Sequence, residues 1–268
     1  MNVAEALAAC EATVRQSDPD RYFASLFAPA ERRPLLFALY AFHHEIARVA
    51  ASVREPMMGE IRRQWWREAI ETAEQQRPRA HPTVLGLAEL FRAGVASQAL
   101  LALIDAHEPM DDDAGWSIGA LETRARETSA ALMQIAAGIL TKSGAPLPSH
   151  HGRPPSRPSS HSSDVAVDGR VRPGHGENIE AAGTAYGLLS SLRASPRSAQ
   201  EIPVIIETAR KHFALARVGH FGAALPAILP AALVPLYART LERGGDPARV
   251  PLFRRQAIFL RSALSGRL

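Results

Sequence analysis

Cysteine occurs once, at Cys10, in a chain of 268 residues. A single thiol excludes a disulfide framework and a zinc site of the finger type. Lysine is almost as scarce: Lys142 and Lys211 are the only two among the 31 Lys+Arg, so arginine carries the basic character. Against 27 Asp+Glu the excess is four charges, and aromatics make up 6% of the chain. No basic run is interleaved with aromatics, so the electrostatic footprint of a nucleic-acid binder is missing and no nucleic acid is expected as partner. The stretch MNVAEALAACEATVRQSD lacks a basic region ahead of an apolar run and carries Glu5 and Glu11, unlike a secretory signal or organellar presequence. The expected location is cytoplasmic. No G-x-S-x-G elbow is present and Cys10 lies near one end, so nothing supports nucleophilic catalysis.

Long uncharged runs are missing too, with one exception, FGAALPAILPAALVPLYA from Phe221 to Ala238. It just reaches the length of about 18 residues that a membrane span needs. Pro226, Pro230 and Pro235 would leave backbone groups unsatisfied in lipid, so a buried, proline-broken core segment is the expectation.

What is present is a helical pattern on a composition of 46% hydrophobic and 22% charged residues, enough for one sizeable core. Pro29 and Glu31 suit the first turn of a helix, and Leu35 to Phe42 is apolar all round. Pro56 opens a second helix in which Met58, Ile61, Trp65, Ala69 and Thr72 form a stripe. Of the adjacent pair, Trp65 is then expected inward, with Trp66 on a neighbouring helix or at an interface. Further helices are expected over about 83–93, 95–106 and Ser117 or Ile118 to Thr141. The β-like run Ile202 to Ile206 stands alone. The fold class is all-α, with about eight helices.

Residues 143–178 differ in kind. They hold six prolines, four histidines, repeated serines and no aromatic. Such a composition cannot offset its ordering entropy by burial, so a flexible low-complexity insertion is expected between two groups of helices, 1–142 and 179–268, of one domain. His150, His151, His161 and His175 as a metal trap, or Pro155 to Pro158 as a groove ligand, are weaker readings than a solvated loop.

The run RYFASLFAPAERRPLLFALYAFHHEIARVAASVREP, then GEIRRQWWREAIE, and AAGTAYGLLSSLRASP at 181–196, resemble the squalene/phytoene synthase family. Tyr40-Ala41-Phe42 and Gln64-Trp65-Trp66-Arg67 are the most specific parts of the likeness. The resemblance implies an isoprenoid-synthase-like helical bundle with a central cavity. It also implies head-to-head joining of prenyl diphosphates, with Mg²⁺ ions held by two aspartate-rich motifs on facing helices. The first motif's positions here hold Ala47, Arg48 and Ala51; the second's hold Ala194 and Ser198. None is acidic, and Arg48 reverses the charge, which repels Mg²⁺. Gly187 and Ser190 replace the polar residues that precede the second motif, and the connection after Ser198 is short.

The likeness is therefore closer to the branch that has lost both motifs, which includes mitochondrial proteins that help assemble respiratory complex I. What it implies is a catalytically degenerate member that binds an isoprenoid or assists assembly. Expected partners are an isoprenoid or prenyl diphosphate ligand and a respiratory-complex subunit, with at most peripheral contact with the inner membrane. No cofactor is expected; Mg²⁺ belongs only to the alternative of an active prenyltransferase.

The expected ligand-binding set is Tyr40, His44, Arg48, Arg193 and Arg197, the arginines holding a diphosphate by charge-assisted hydrogen bonds without magnesium. The competing reading pairs these arginines with Glu45, Glu55 or Glu60. Arg54, Glu55, Glu60 and Trp66, around Pro56 and Gly59, form a polar network or partner contact, or else a solvated helix junction. His43, His44 and Glu45 point about 100° apart on a helix and do not by themselves chelate an ion. Asp111, Asp112 and Asp113, with Asp105 and Glu108, read as an acidic capping turn.

Overall fold

The computed structural model describes residues 1–52, 56–108, 117–142, 175–194, 198 and 200–268; the side chains at 50–52, 56, 175, 193 and 194 lie outside this description. Arg54, Glu55, Arg197, Asp111 to Asp113, His150, His151 and His161 therefore fall outside the described residues, as do the side chains of Arg193 and His175.

The regular structure among the described residues is all helical, without strands. Helix α1 (Val3–Ser17) opens with a capping box, Asn2 and Glu5 each accepting from the other's backbone N–H at 2.9 Å. Asp18 ends it and caps α2 (Pro19–Ser25), accepting from the Arg21 N–H at 3.0 Å. Helix α3 runs over Arg33–Ser52, and every residue from Leu35 to Phe42 is buried. It starts four residues later than Pro29 suggested. Pro34 takes the first-turn place, while Pro29 begins only a turn, closed by the Arg32 N–H on its carbonyl.

Helix α4 (Pro56–Glu74) faces inward along a different stripe from the expected one. Gly59, Arg63, Trp66, Ala69, Ile70 and Ala73 are buried, whereas Met58 and Ile61 are exposed and Trp65 is half-buried. A shift of one residue turns a helix by about 100°. The true phase is set by Trp66, which packs edge-on against Phe42 of α3 at 5.5 Å.

Helices α5 (Pro82–Arg92) and α6 (Ser97–Asp105) follow. Then α7 (Ile118–Ala125), a π turn over Arg126–Ala130 and α8 (Ala131–Thr141) form one continuous rod. Helix α9 (His175–Ala194) begins inside the stretch assigned to the insertion. Ile202 to Ile206 is not a strand but part of α10 (Glu201–Ala216). Ser198 and Glu201 exchange bonds at its start, the Glu201 N–H to Ser198 Oγ at 3.3 Å and the Ser198 N–H to Glu201 Oε2 at 3.0 Å. Ile205, Ile206, Ala209, Phe213 and Ala216 then give a buried stripe of helical period.

The apolar run near the end is helical in pieces: a 3₁₀ turn at Gly222–Ala224, α11 (Leu225–Ile228), a second 3₁₀ stretch at Leu229–Leu233, and α12 (Val234–Glu242). Pro226, Pro230 and Pro235 each fall in the first turn of a piece, where a missing N–H costs least. By length and composition Gly222–Glu242 passes as a membrane span, yet residues 224–234 are all buried within this fold. Helix α13 (Leu252–Ser265) closes the described chain, and Gly266 caps it with φ of 68°. Proline-bounded short pieces raise the helix number to thirteen among the described residues.

Helices from both sides of 143–178 share one apolar core. Helix α9 lies close against the π turn. A Cβ on Gly183 would stand 2.3 Å from the Ala130 Cα, and one on Gly187 2.7 Å from the Ser129 Cβ. These two glycines, one turn apart, let the backbones meet where side chains would hold them away.

Candidate functional site

Along α3, Tyr40, His44 and Arg48 lie at successive turns and run from core to surface. Tyr40 is buried, His44 is half-buried and Arg48 is exposed. Arg48 lines two open grooves at once. One, of about 390 Å³, lies against the end of α1 and is lined by Thr13, Gln16, Ser17, His44 and Glu45. The other, of about 230 Å³, lies between α3, α4 and His81 and is lined by Glu45, Arg62, Trp65, Trp66 and His81. Glu45 Oε1 stands 3.8 Å from Arg48 Nη1, so the arginine already faces a carboxylate. Burial, with Arg48 nearby, lowers the His44 pKa, against a smaller opposing effect of Glu45.

The floor of the smaller groove is aromatic. Trp65 and Trp66 meet edge-on at 4.9 Å, and His81 packs edge-on against both, at 5.7 and 5.6 Å. The Arg79 guanidinium lies over Trp65 at 5.2 Å. His81 Nδ1 is buried without a hydrogen-bond partner.

Glu60 belongs to a ladder of charges along α4 that runs from the buried Arg63 to the half-buried Arg67. It accepts from Arg63 at 2.7 and 3.0 Å and from Arg67 Nη1 at 2.8 Å. Arg67 Nη2 continues to Asp105 at 3.0 Å and Glu108 at 3.2 Å, tying α4 to the end of α6. The hydrogen bonds from Arg63 and Arg67 hold the Glu60 carboxyl below its usual pKa. Asp105 and Glu108 thus serve an arginine. The described residues bring together Glu60 and its arginines on one face, and His44, Arg48 and Trp66 around two adjoining grooves.

Sequence reasoning missed a second constellation deep in the molecule. Asp20, 2% exposed, accepts from Tyr237 Oη at 2.5 Å, Tyr186 Oη at 3.2 Å and Arg255 Nη1 at 3.0 Å. Arg255 spends its other donors on the Val250 and Ala248 carbonyls at 2.7–3.0 Å. The next residue, Arg21, is also buried. It pairs with Asp18 at 2.6 Å, reaches Ser129 Oγ at 3.3 Å, and lies over Tyr40 at 5.7 Å and Tyr186 at 5.2 Å. Burial works against its charge, but Asp18, Tyr186 and Tyr40 together more than compensate and its pKa is raised. Burial also drives the Tyr40 and Tyr186 hydroxyls upward, so both stay neutral donors.

Arg21 thus occupies the space between Tyr40 on α3 and Tyr186 on α9, the two helices that would face each other across a synthase centre. Beside it, His43 and His107 meet edge-on at 5.1 Å. Burial lowers the pKa of both, that of His107 to about 4, and His107 Nδ1 lies 2.7 Å from the Leu103 carbonyl. The available signal was the tyrosine inventory: four in the whole chain, Tyr22, Tyr40, Tyr186 and Tyr237, and all four are buried.

The magnesium chemistry of a synthase does not fit these residues. Ala47 and the exposed Arg48 stand on α3 where carboxylates would be needed. Gly187 on α9 is consumed by close packing against Ser129 and Ala125. Among the described residues no group of three or more His, Cys, Asp or Glu is placed to hold a metal ion.

This is the all-helical isoprenoid-synthase fold. Two solved structures share it over nearly the whole chain. A dehydrosqualene synthase in complex with ligand superposes with a TM-score of 0.67 at 12% identity, covering 98% of this chain and 96% of that one. Squalene synthase HpnC from Alicyclobacillus acidocaldarius gives 0.59 at 14% identity, covering 98% and 95%. At such identities the likeness concerns the fold alone.

The squalene/phytoene synthase family profile matches residues 14–203, and the chain belongs to that family. Curated relatives named NADH dehydrogenase (ubiquinone) complex I, assembly factor 6, are 33% identical in Homo sapiens and 35% in Rattus norvegicus, each over 133 residues. That match takes in 49% of this chain and 40% of each relative, so the likeness spans less than half of their length.

Proposed function

We propose that this chain is a non-synthase member of its family that assists assembly of a respiratory NADH dehydrogenase complex, working at the membrane surface that carries the complex. The observation that carries the reading is the fate of the metal positions. Alanine and an exposed arginine replace carboxylates on α3, and the glycines of α9 bring it against the π turn. The names of the relatives supply the direction.

Two measurements test it. Purified protein given farnesyl or geranylgeranyl diphosphate should release no pyrophosphate with or without Mg²⁺, beside an active synthase as control. Cells depleted of the protein should accumulate subassemblies of the NADH dehydrogenase on native gels. Magnesium-dependent turnover, or a normal complex after depletion, would overturn the proposal.

One observation favours a ligand as well. Arg48 borders both grooves, and its exposed guanidinium can meet an anion there by charge-assisted hydrogen bonds. A prenyl diphosphate would place its phosphates at Arg48 and His44, with Arg193 and Arg197 as further contacts and Tyr40 behind. Isothermal titration with farnesyl diphosphate should show binding without magnesium that Arg48→Ala abolishes; equal heats for both proteins would remove the ligand reading.

A further inference from the structure

Helix α13 presents apolar side chains on two opposite sides. Its inner side carries Arg255, Phe259 and Ser262, all buried. Its outer side carries Phe253, Ala257, Leu260 and Leu264, spaced i, i+4, i+7 and i+11, and all exposed. Phe253 is 67% exposed and Leu264 80%, among the most exposed large apolar side chains described. A further exposed apolar residue, Val218, follows the end of α10. Arg267 Nη2 lies 3.5 Å from His220 Nε2, which brings the end of α13 beside the turn that carries the exposed Val218.

The charge along the stretch that carries this row has one sign. From Pro247 to Leu268 there are five arginines and no Asp or Glu. Arg255 is turned inward to Asp20, and Arg249 lies 4.0 Å from Asp246. Arg254 and Arg261 are exposed, and among the described residues no carboxylate pairs with either. At about 100° per residue, both fall roughly a quarter turn from the apolar row, along one edge of it.

An apolar stripe edged by unpaired guanidinium groups matches the boundary between the acyl chains and the phosphates of a bilayer. There the apolar side chains leave water while arginine reaches lipid phosphate. We infer that the outer face of α13, extended by Val218, is a docking surface for an anionic lipid bilayer, with the helix lying in the plane of the interface. Charge complementarity selects this occupant, because the helix edges the row with two cations and carries no anion of its own. The inference refines the membrane-surface part of the proposal above and is independent of the assembly role.

The test is co-sedimentation of the full chain with vesicles of phosphatidylcholine alone or mixed with phosphatidylglycerol. Binding to the mixed vesicles that falls with added salt, and none to the neutral ones, is expected. Each basic side chain at such a surface contributes about fivefold, so the double variant R254E/R261E should bind at least about 25-fold more weakly. The double variant L260S/L264S should lose on the order of tenfold or more. All four residues are exposed, and unchanged circular dichroism and melting would establish that the variants fold. Absence of binding to the mixed vesicles, or equal binding by folded variants, overturns the inference. Vesicle binding needs no respiratory complex, so a failed assembly experiment leaves this result standing, and the reverse holds too.

Discussion

Tyr237 donates a hydrogen bond of 2.5 Å to Asp20, across 217 residues of sequence, inside a core where both are almost fully buried. The same carboxylate takes Arg255 and Tyr186, so four segments of the chain meet at one anion: α2, α9, α12 and α13. A buried charge is tolerated when its acceptor sites are filled, and removing one donor exposes the cost of its desolvation.

Tyr237→Phe should therefore destabilise the protein by about 1–3 kcal/mol in urea unfolding, although it removes a single oxygen. Arg255→Met, which leaves Asp20 without its cation, should cost about 3–5 kcal/mol. A Tyr237→Phe midpoint equal to that of the parent chain would mean that the carboxylate is not held as described.

The α9 glycines give a paired test. Gly183→Ala should destabilise by roughly 1–3 kcal/mol, because the new methyl group meets the backbone of Ala130, which cannot swing aside as a side chain end can. Gly138, in the middle of α8, has nothing within 4 Å of a built Cβ. Gly138→Ala should stabilise by about 0.5–1 kcal/mol through helix propensity. Opposite signs from the same chemical change would locate the close approach; equal signs would refute it.

The His107 imidazole is buried neutral, with its pKa lowered to about 4. The unfolded chain, with an ordinary histidine, binds the proton more readily, so acid favours unfolding through this group. Its contribution is complete above about pH 6.5 and is lost as pH falls towards 4. Stability measured in urea at pH 7, 5.5 and 4.5 should decline across that window, and His107→Gln should flatten the decline. An identical slope in the variant would assign the acid sensitivity to other groups, with His43 next in line because its pKa is lowered by the same burial.

Much of this was legible in the sequence, for identifiable reasons. Pro56 starts a helix as its missing N–H dictates, and the unbroken apolar run Leu35–Phe42 is buried on all sides. The apolar run near the end lies in the core with its three prolines at first turns. The phase of α4 was misread because apolar residues occur on two of its faces, and only the fit of Trp66 on Phe42 decides between them. The strand-like Ile202–Ile206 hid a helix, although Ser198 and Glu201 stand at capping-box spacing just before it.

The candidate site divides in the same way. A charge reversal at a metal position is visible in a string of letters, and so is the placing of Glu60 in a polar network, though its partners Arg63 and Arg67 emerge only from the structure. The Asp20 centre was not visible, since its members come from positions 20, 186, 237 and 255, and each has an innocent local role. Asp20 in particular reads as an ordinary first-turn acid of α2.

The pairing of Asp20 with Arg255 also sets an order of events during synthesis. The anion is translated 235 residues ahead of its cation. Until residue 255 has emerged from the ribosome, the helices before it carry a carboxylate that they cannot bury at low cost, so the final closure of the core has to wait for α13. A nascent chain halted before that point would stay open around α2, a state that holding chaperones and proteases can recognise, and one that separates unfinished copies from finished ones.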